Sequence, residues 1–177
     1  KIDSELLSMV IATVVRESAD KATIDGLLSI HKTTNNAELR QDIVSGLTAS
    51  KNSEVLSRLL GLIKDTTLVR TQDTISWYVS LLRNKHSRTM TWQWLRDDWR
   101  WVEQTFAGDM NYDAFPRYTS NILQTRQQFE EFKTFFGPMV TNYALKRPIE
   151  IGVKDIEGRV EIIEKYSSSV AERLSNL

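Results

Sequence analysis

The side chains with the means for chemistry are few. There are two histidines and no cysteine. His31 and His86 stand alone, with no second histidine at helical spacing and no H-E-x-x-H motif, so no zinc site of that kind can be built. Both are expected to be exposed residues near helix ends. The neighbouring carboxylates Asp97–Asp98 and Glu130–Glu131 invite an acid–base reading. Adjacent residues of a helix point about 100° apart and do not face each other, so solvated faces are expected instead. No glycine-rich stretch matches a phosphate cradle. Ser167, Ser168 and Ser169 have no base near them in sequence and read as a helix junction. Catalytic residues and metal ligands are therefore expected to be absent from this chain. Arg70, Gln72 and Asp73 sit at the start of a helical pattern. There Asp73 suits the positive end of the helix dipole. That trio reads either as a structural cap with a salt bridge or as a ligand contact.

These groups must be held by helices. Lysine plus arginine number 23, as do aspartate plus glutamate, and the chain has three prolines and seven glycines in 177 residues. An even charge balance provides no electrostatic basis for binding nucleic acid or an anionic membrane. No apolar run approaches the roughly 18 residues needed to span a bilayer. A chain of this length can bury one core, or a row of helical pairs. Absence of cysteine excludes a disulfide framework and suits a cytoplasmic location. The chain opens on Lys1 without a methionine and enters a helical pattern at once, which suggests a piece of a longer protein.

Apolar residues recur at the three-and-four spacing of buried helix faces along most of the chain. Residues 3–18 bury Leu6, Leu7, Val10, Ile11, Val14 and Val15 behind an Asp3 cap. A helix over 20–33 carries Ile24, Leu27, Leu28 and Ile30. A third follows Asn35, with Glu38 completing an approximate capping box, and buries Leu39, Ile43, Val44 and Leu47. A fourth follows Asn52, with Val55, Leu56, Leu59, Leu60 and Ile63. A fifth begins near Gln72, with Ile75, Tyr78, Leu81 and Leu82. A sixth runs from about 87 to 106. Starts every 16–19 residues give the cadence of a helix–turn–helix solenoid; an ordinary helical bundle is the other possibility. Further helices are expected at 114–123, after Thr125 with Gln128 as a capping box, at 139–146 and at 167–175. Between them, 149–163 fits either a helix or a two-stranded hairpin. Helix is preferred, because an isolated hairpin is marginal in water.

All five tryptophans fall between Val69 and Phe106. Trp92, Trp99 and Phe106 keep a seven-residue spacing and form a core stripe rather than a stacking platform for bases or sugars. Trp94 and Trp101 lie off it and are expected to touch another domain or a partner.

Within this stretch, V-R-T-Q-D-T-I-S-W, L-L-R-N-K-H-S-R and T-W-Q-W-L-R-D-D-W resemble the C-terminal helical domain of zinc aminopeptidases of the aminopeptidase N type. That group includes the puromycin-sensitive and endoplasmic-reticulum aminopeptidases. F-P-R-Y-T-S-N-I-L at 115–123 and E-E-F-K-T-F-F at 130–136 match later segments of the same domain. Thr91 and Asp98 depart from its usual alanine and asparagine. The resemblance implies an all-α stack of antiparallel helical pairs, a HEAT-like bowl-shaped superhelix, with 1–177 as one C-terminal domain and with 149–163 helical. It implies a non-catalytic part that caps the active site and encloses the peptide chamber of a metallopeptidase. The zinc would lie in the parent enzyme and no cofactor in this fragment. Partners would be the catalytic domain of the parent chain and the peptide substrate, with no nucleic acid and no membrane. Arg70, Gln72, Asp73 and Arg117 become candidate substrate-binding residues on the concave face. A free-standing helical-repeat binding scaffold is the alternative; it would need polar capping repeats at both ends.

Overall fold

The structure, a computed structural model, describes residues 4–18 and 20–176. Among these residues it contains ten α-helices, two short 3-10 turns and no strand, so the fold is all-α. The chain divides into two compact units, one through Thr105 and one from Phe106.

The first unit begins with α1 (Ser4–Ser18), α2 (Lys21–Thr33), α3 (Ala37–Leu47) and α4 (Ser53–Leu62). It continues with α5 (Thr74–Arg83), α6 (Arg88–Asp97) and most of α7 (Trp99–Phe106). Short polar side chains set the helix starts. Asp20 accepts from the Thr23 N–H, and Asn36 and Asn52 each accept two N–H groups of the next helix, which meets the amides a helix start leaves open. Glu38 falls two residues after the Asn36 cap rather than three, so the expected capping box reduces to a simple cap. The Asp3 cap lies outside the described residues.

Helices pack on the element two places along as well as on the next: α1 on α3, α3 on α5, α4 on α6. The polar cross-links keep the same beat. Glu17 to Lys51, Ser50 to Asn84 and Lys64 to Asp98 are each 34 residues apart, and Gln41 to Ser76 is 35. Stacked helical pairs place equivalent positions of neighbouring pairs side by side, and a repeat of this length is the result.

The core contains Val15, Ile24, Ile43, Leu47, Leu56, Leu59, Trp77, Tyr78 and Leu95. Ile11 and Val15 of α1 are buried, but Leu6 and Val14 of its expected inner face are 48% and 41% exposed. Among the described residues α1 packs mainly on α3, so only one side of its broad apolar surface is covered. The approach there is close. A Cβ on Gly46 of α3 would lie 2.8 Å from Ile11 Cβ.

The single helix expected over 87–106 is two. Asp98 separates α6 from α7, yet its N–H still bonds Trp94 O and its carbonyl accepts from Trp101 and Val102. The break therefore preserves the seven-residue stripe, and Trp92 and Trp99 are buried. Trp94 is also buried, with ring centroids 6.2 Å from Tyr78 and 6.1 Å from Trp101. It is an internal contact, contrary to its expected outward role, because α6 is covered on more than one side.

The second unit holds α8 (Ala114–Ser120), α9 (Arg126–Phe136), a 3-10 turn at Gly137–Thr141 and α10 (Tyr143–Ser175). Thr125 and Gln128 form the expected capping box. Phe129, Phe132 and Phe136 of α9 and Leu145, Ile149, Ile156 and Val160 of α10 are buried. Gly152 lets α10 lie against α8 and α9: a Cβ there would meet Ser120 Cβ at 2.7 Å and Phe132 Cζ at 3.0 Å. Residues 149–163 are helical. The separate helices expected at 139–146 and 167–175 are instead a 3-10 turn and the two ends of one 33-residue helix. Asn142 caps that helix by accepting from the Ala144 N–H, so it starts late, and the three serines pass through it without a break.

Candidate functional site

Arg70, Gln72 and Asp73 lie together where the chain enters α5. Arg70 is extended, which turns the backbone into the 3-10 turn Thr71–Asp73. Its Nε donates to Asp73 Oδ2 at 2.8 Å, and the Asp73 N–H bonds Arg70 O at 2.7 Å. The pair is local, so both readings of this trio keep a footing: it fastens the turn, and it leaves the rest of the guanidinium in solvent. The Arg70 side chain is 45% exposed and Asp73 26%. Gln72 is exposed. Asp73 makes no capping hydrogen bond to the α5 amides, because its carboxylate is turned to Arg70.

Beneath this surface lies His31, which the sequence reading placed in solvent. It is at the end of α2 as expected, but only 2% exposed. Its ring stands edge-on to Trp77, with centroids 5.4 Å apart. Burial lowers the imidazole below its usual value; the Asp73 charge opposes this, while Arg40 and Arg70 add to it. The signal was present in the spacing Ile24, Leu28, His31, which continues one helical face. His86 is exposed, as expected.

Arg117 belongs to the second unit, on α8. Nη2 donates to Asp113 Oδ1 one turn earlier at 3.2 Å, and the guanidinium lies 5.0 Å from the centre of the Tyr118 ring. Its side chain is half exposed. It shares with Arg70 the pattern of a guanidinium oriented by a local aspartate and open to solvent on the other side. Such groups can pair with a carboxylate or a peptide carbonyl; neither has the geometry of a nucleophile or a base. Among the described residues no three histidine, aspartate or glutamate side chains converge as metal ligands. None of the described helices is long and apolar enough to cross a membrane.

Helical pairs stacked at a 34-residue beat, with polar groups at their turns, define a helical-repeat domain. Comparison with known proteins narrows the class. Residues 1–158 match the family described as ERAP1-like C-terminal domain, and the chain belongs to that family. It is 27% identical over 175 residues to an aminopeptidase N of Lactococcus lactis subsp. lactis, covering 99% of this chain and 21% of that protein. An aminopeptidase N of Lactobacillus helveticus is 28% identical over 174 residues, 98% of this chain and 21% of its own length. A glutamyl aminopeptidase of Bitis rhinoceros is 26% identical over 178 residues, 99% of this chain and 18% of its own length. The chain thus spans about a fifth of the length of the curated relatives it matches. It corresponds to the C-terminal domain of aminopeptidase N-like enzymes.

Proposed function

We propose that this domain serves a zinc aminopeptidase by capping its active site and enclosing the chamber in which peptides are held. The observation that carries the reading is family membership over residues 1–158, joined to relatives five times as long that are named as aminopeptidases. The zinc and the groups that activate water are assigned to the remainder of the parent protein, and no step of the hydrolysis is assigned to this chain. The cytoplasm is the compartment we assign. The domain's contribution is access and orientation. A chamber wall limits which peptides enter, and polar groups on it can hold the substrate away from the scissile bond.

Arg70 and Arg117 are the residues proposed to contact peptide, with Gln72 beside Arg70 and Asp73 holding its guanidinium. Each arginine is locally fixed and outwardly open, which lowers the entropy lost when it pairs with a peptide carbonyl or carboxylate. The test is kinetic and uses the full-length parent. Arg70→Ala and Arg117→Ala are expected to lower kcat/KM for peptides long enough to reach the wall, by about tenfold for a lost charged hydrogen bond. Turnover of a dipeptide should be unchanged. Equal losses on long and short substrates would overturn the assignment.

A further inference from the structure

The first unit has a second polar feature, at the opposite end of α5 from Arg70. A pocket of about 450 Å³ opens where α1, α3 and α5 finish. Arg16, Lys51, Arg83, Lys85 and His86 line it, and among the described residues no acidic one does. In a chain whose formal charges cancel, this is a local concentration of one sign.

Helix ends account for only part of it. Three helix C-termini meet here, each carrying roughly half a negative charge, or about 1.5 in all. Arg16 and Arg83 lie in the last turns of α1 and α5 and suit those ends. Lys51 and Lys85 lie beyond the helices, in the turns after α3 and α5, and exceed what the helix ends call for. Glu17 approaches Lys51 at 3.4 Å, but both side chains are more than half exposed, and such pairs contribute little. Among the described residues Arg16, Lys85 and His86 make no ion pair.

Backbone carbonyls at helix ends would normally repel an anion. Here Asn84 Nδ2 donates to both Thr48 O and Ser50 O, 2.7 Å each, and covers two carbonyls at the end of α3 and in the turn after it. Two covered carbonyls and a rim of cations make a setting that favours an oxyanion.

We propose that this pocket binds a small oxyanion carrying two or more negative charges, of the phosphate or polycarboxylate class. Its volume lies at the lower end for ligand pockets.

The experiment is calorimetric titration of the full-length protein with inorganic pyrophosphate, and separately with citrate, at fixed ionic strength. Saturable binding of either anion is expected. The preferred anion identifies the class, phosphate or carboxylate. Lys51→Gln with Lys85→Gln should weaken binding by about tenfold or more. Lys146→Gln with Arg147→Gln, in the second unit, should leave it unchanged. Lys85→Glu alone, at an exposed turn residue, repeats the test if the double variant does not fold. No saturable binding of either anion, or equal affinity in the Lys51/Lys85 variant, would overturn the proposal. The readout is binding, so it stands apart from any effect on peptide turnover.

Discussion

Asn84→Asp should be among the most damaging changes of a few atoms anywhere in the first unit. Asn84 joins the turn after α5 to the turn after α3. Its Nδ2 donates to Thr48 O and Ser50 O at 2.7 Å each, and its Oδ1 accepts from the His86 N–H at 2.8 Å. Thr48 and Ser50 are 4% and 0% exposed, so water cannot readily replace the donor. Aspartate preserves the shape and the bond from His86. It removes both donated bonds and sets a negative carboxylate against two carbonyl oxygens. Leaving a buried acceptor unmet costs about 1–3 kcal/mol, so two of them give about 2–6 kcal/mol. Asn84→Ala loses the third bond as well but adds no charge, and should fall in the same range. Urea unfolding followed by tryptophan fluorescence measures the loss, because all five tryptophans belong to the first unit. The transition midpoint should fall with its slope unchanged. A loss below about 0.5 kcal/mol for Asn84→Asp, the range of ordinary surface changes, would refute the reasoning.

Two glycines of α10 should respond in opposite directions. Gly152→Ala meets Ser120 and Phe132 at or inside 3.0 Å and should cost about 1–3 kcal/mol, less the ~1 kcal/mol that alanine gains in a helix. Gly158→Ala meets nothing within 4 Å and should stabilise by up to about 1 kcal/mol; thermal melts read by circular dichroism compare the two. His31 predicts a pH dependence. Burial lowers its folded pKa below the ordinary 6.5, so above 6.5 neither state holds the proton. As pH falls below 6.5 the unfolded chain takes up a proton that the folded chain refuses. Stability therefore drops until the folded pKa is passed. The carboxylates of Asp20, Asp65 and Glu164, held low by hydrogen bonds from Thr23, Thr67 and Arg126, act in a separate window beginning near 4. Unfolding measured between pH 7 and 5 should show a positive slope that His31→Leu flattens; an unchanged slope would remove His31 as its source.

Much of this was legible because helices announce themselves by period. The buried faces of α3, α4 and α9 follow their apolar spacing, and Asn52 and Thr125 cap where short polar residues precede such a run. Misreadings came where tertiary packing decides. His31 is chemically polar but occupies a position of the α2 face already set by Ile24 and Leu28, and the face took it inside. Trp94 lies off the seven-residue stripe, but a helix covered on several sides has no outward aromatic position. Leu6 and Val14 show the converse: α1 has more apolar surface than its neighbours in this chain cover. Serine lowers helix propensity only slightly, so three in a row did not end α10. Arg70 and Arg117 entered as candidates through family resemblance; spacing alone left the Arg70 turn open to both a cap and a contact. The basic pocket could not be read at all, because its residues are brought together from three turns about 35 residues apart.

From Glu161 onward α10 has no buried side chain, although it continues to Ser175. That is about 22 Å of helix projecting past its support. The Arg126–Glu164 pair, 2.7 Å and exposed, ties its first turn back to α9. An isolated helix of some fifteen residues sits near its own melting point in water. Amide protons along one continuous helix should therefore exchange on two clocks. Those up to Val160 wait for the unit to unfold, and those beyond it for local fraying. The working length of α10 becomes a thermal variable, shortened by warming and extended by anything that settles along Ile163, Val170 and Leu174.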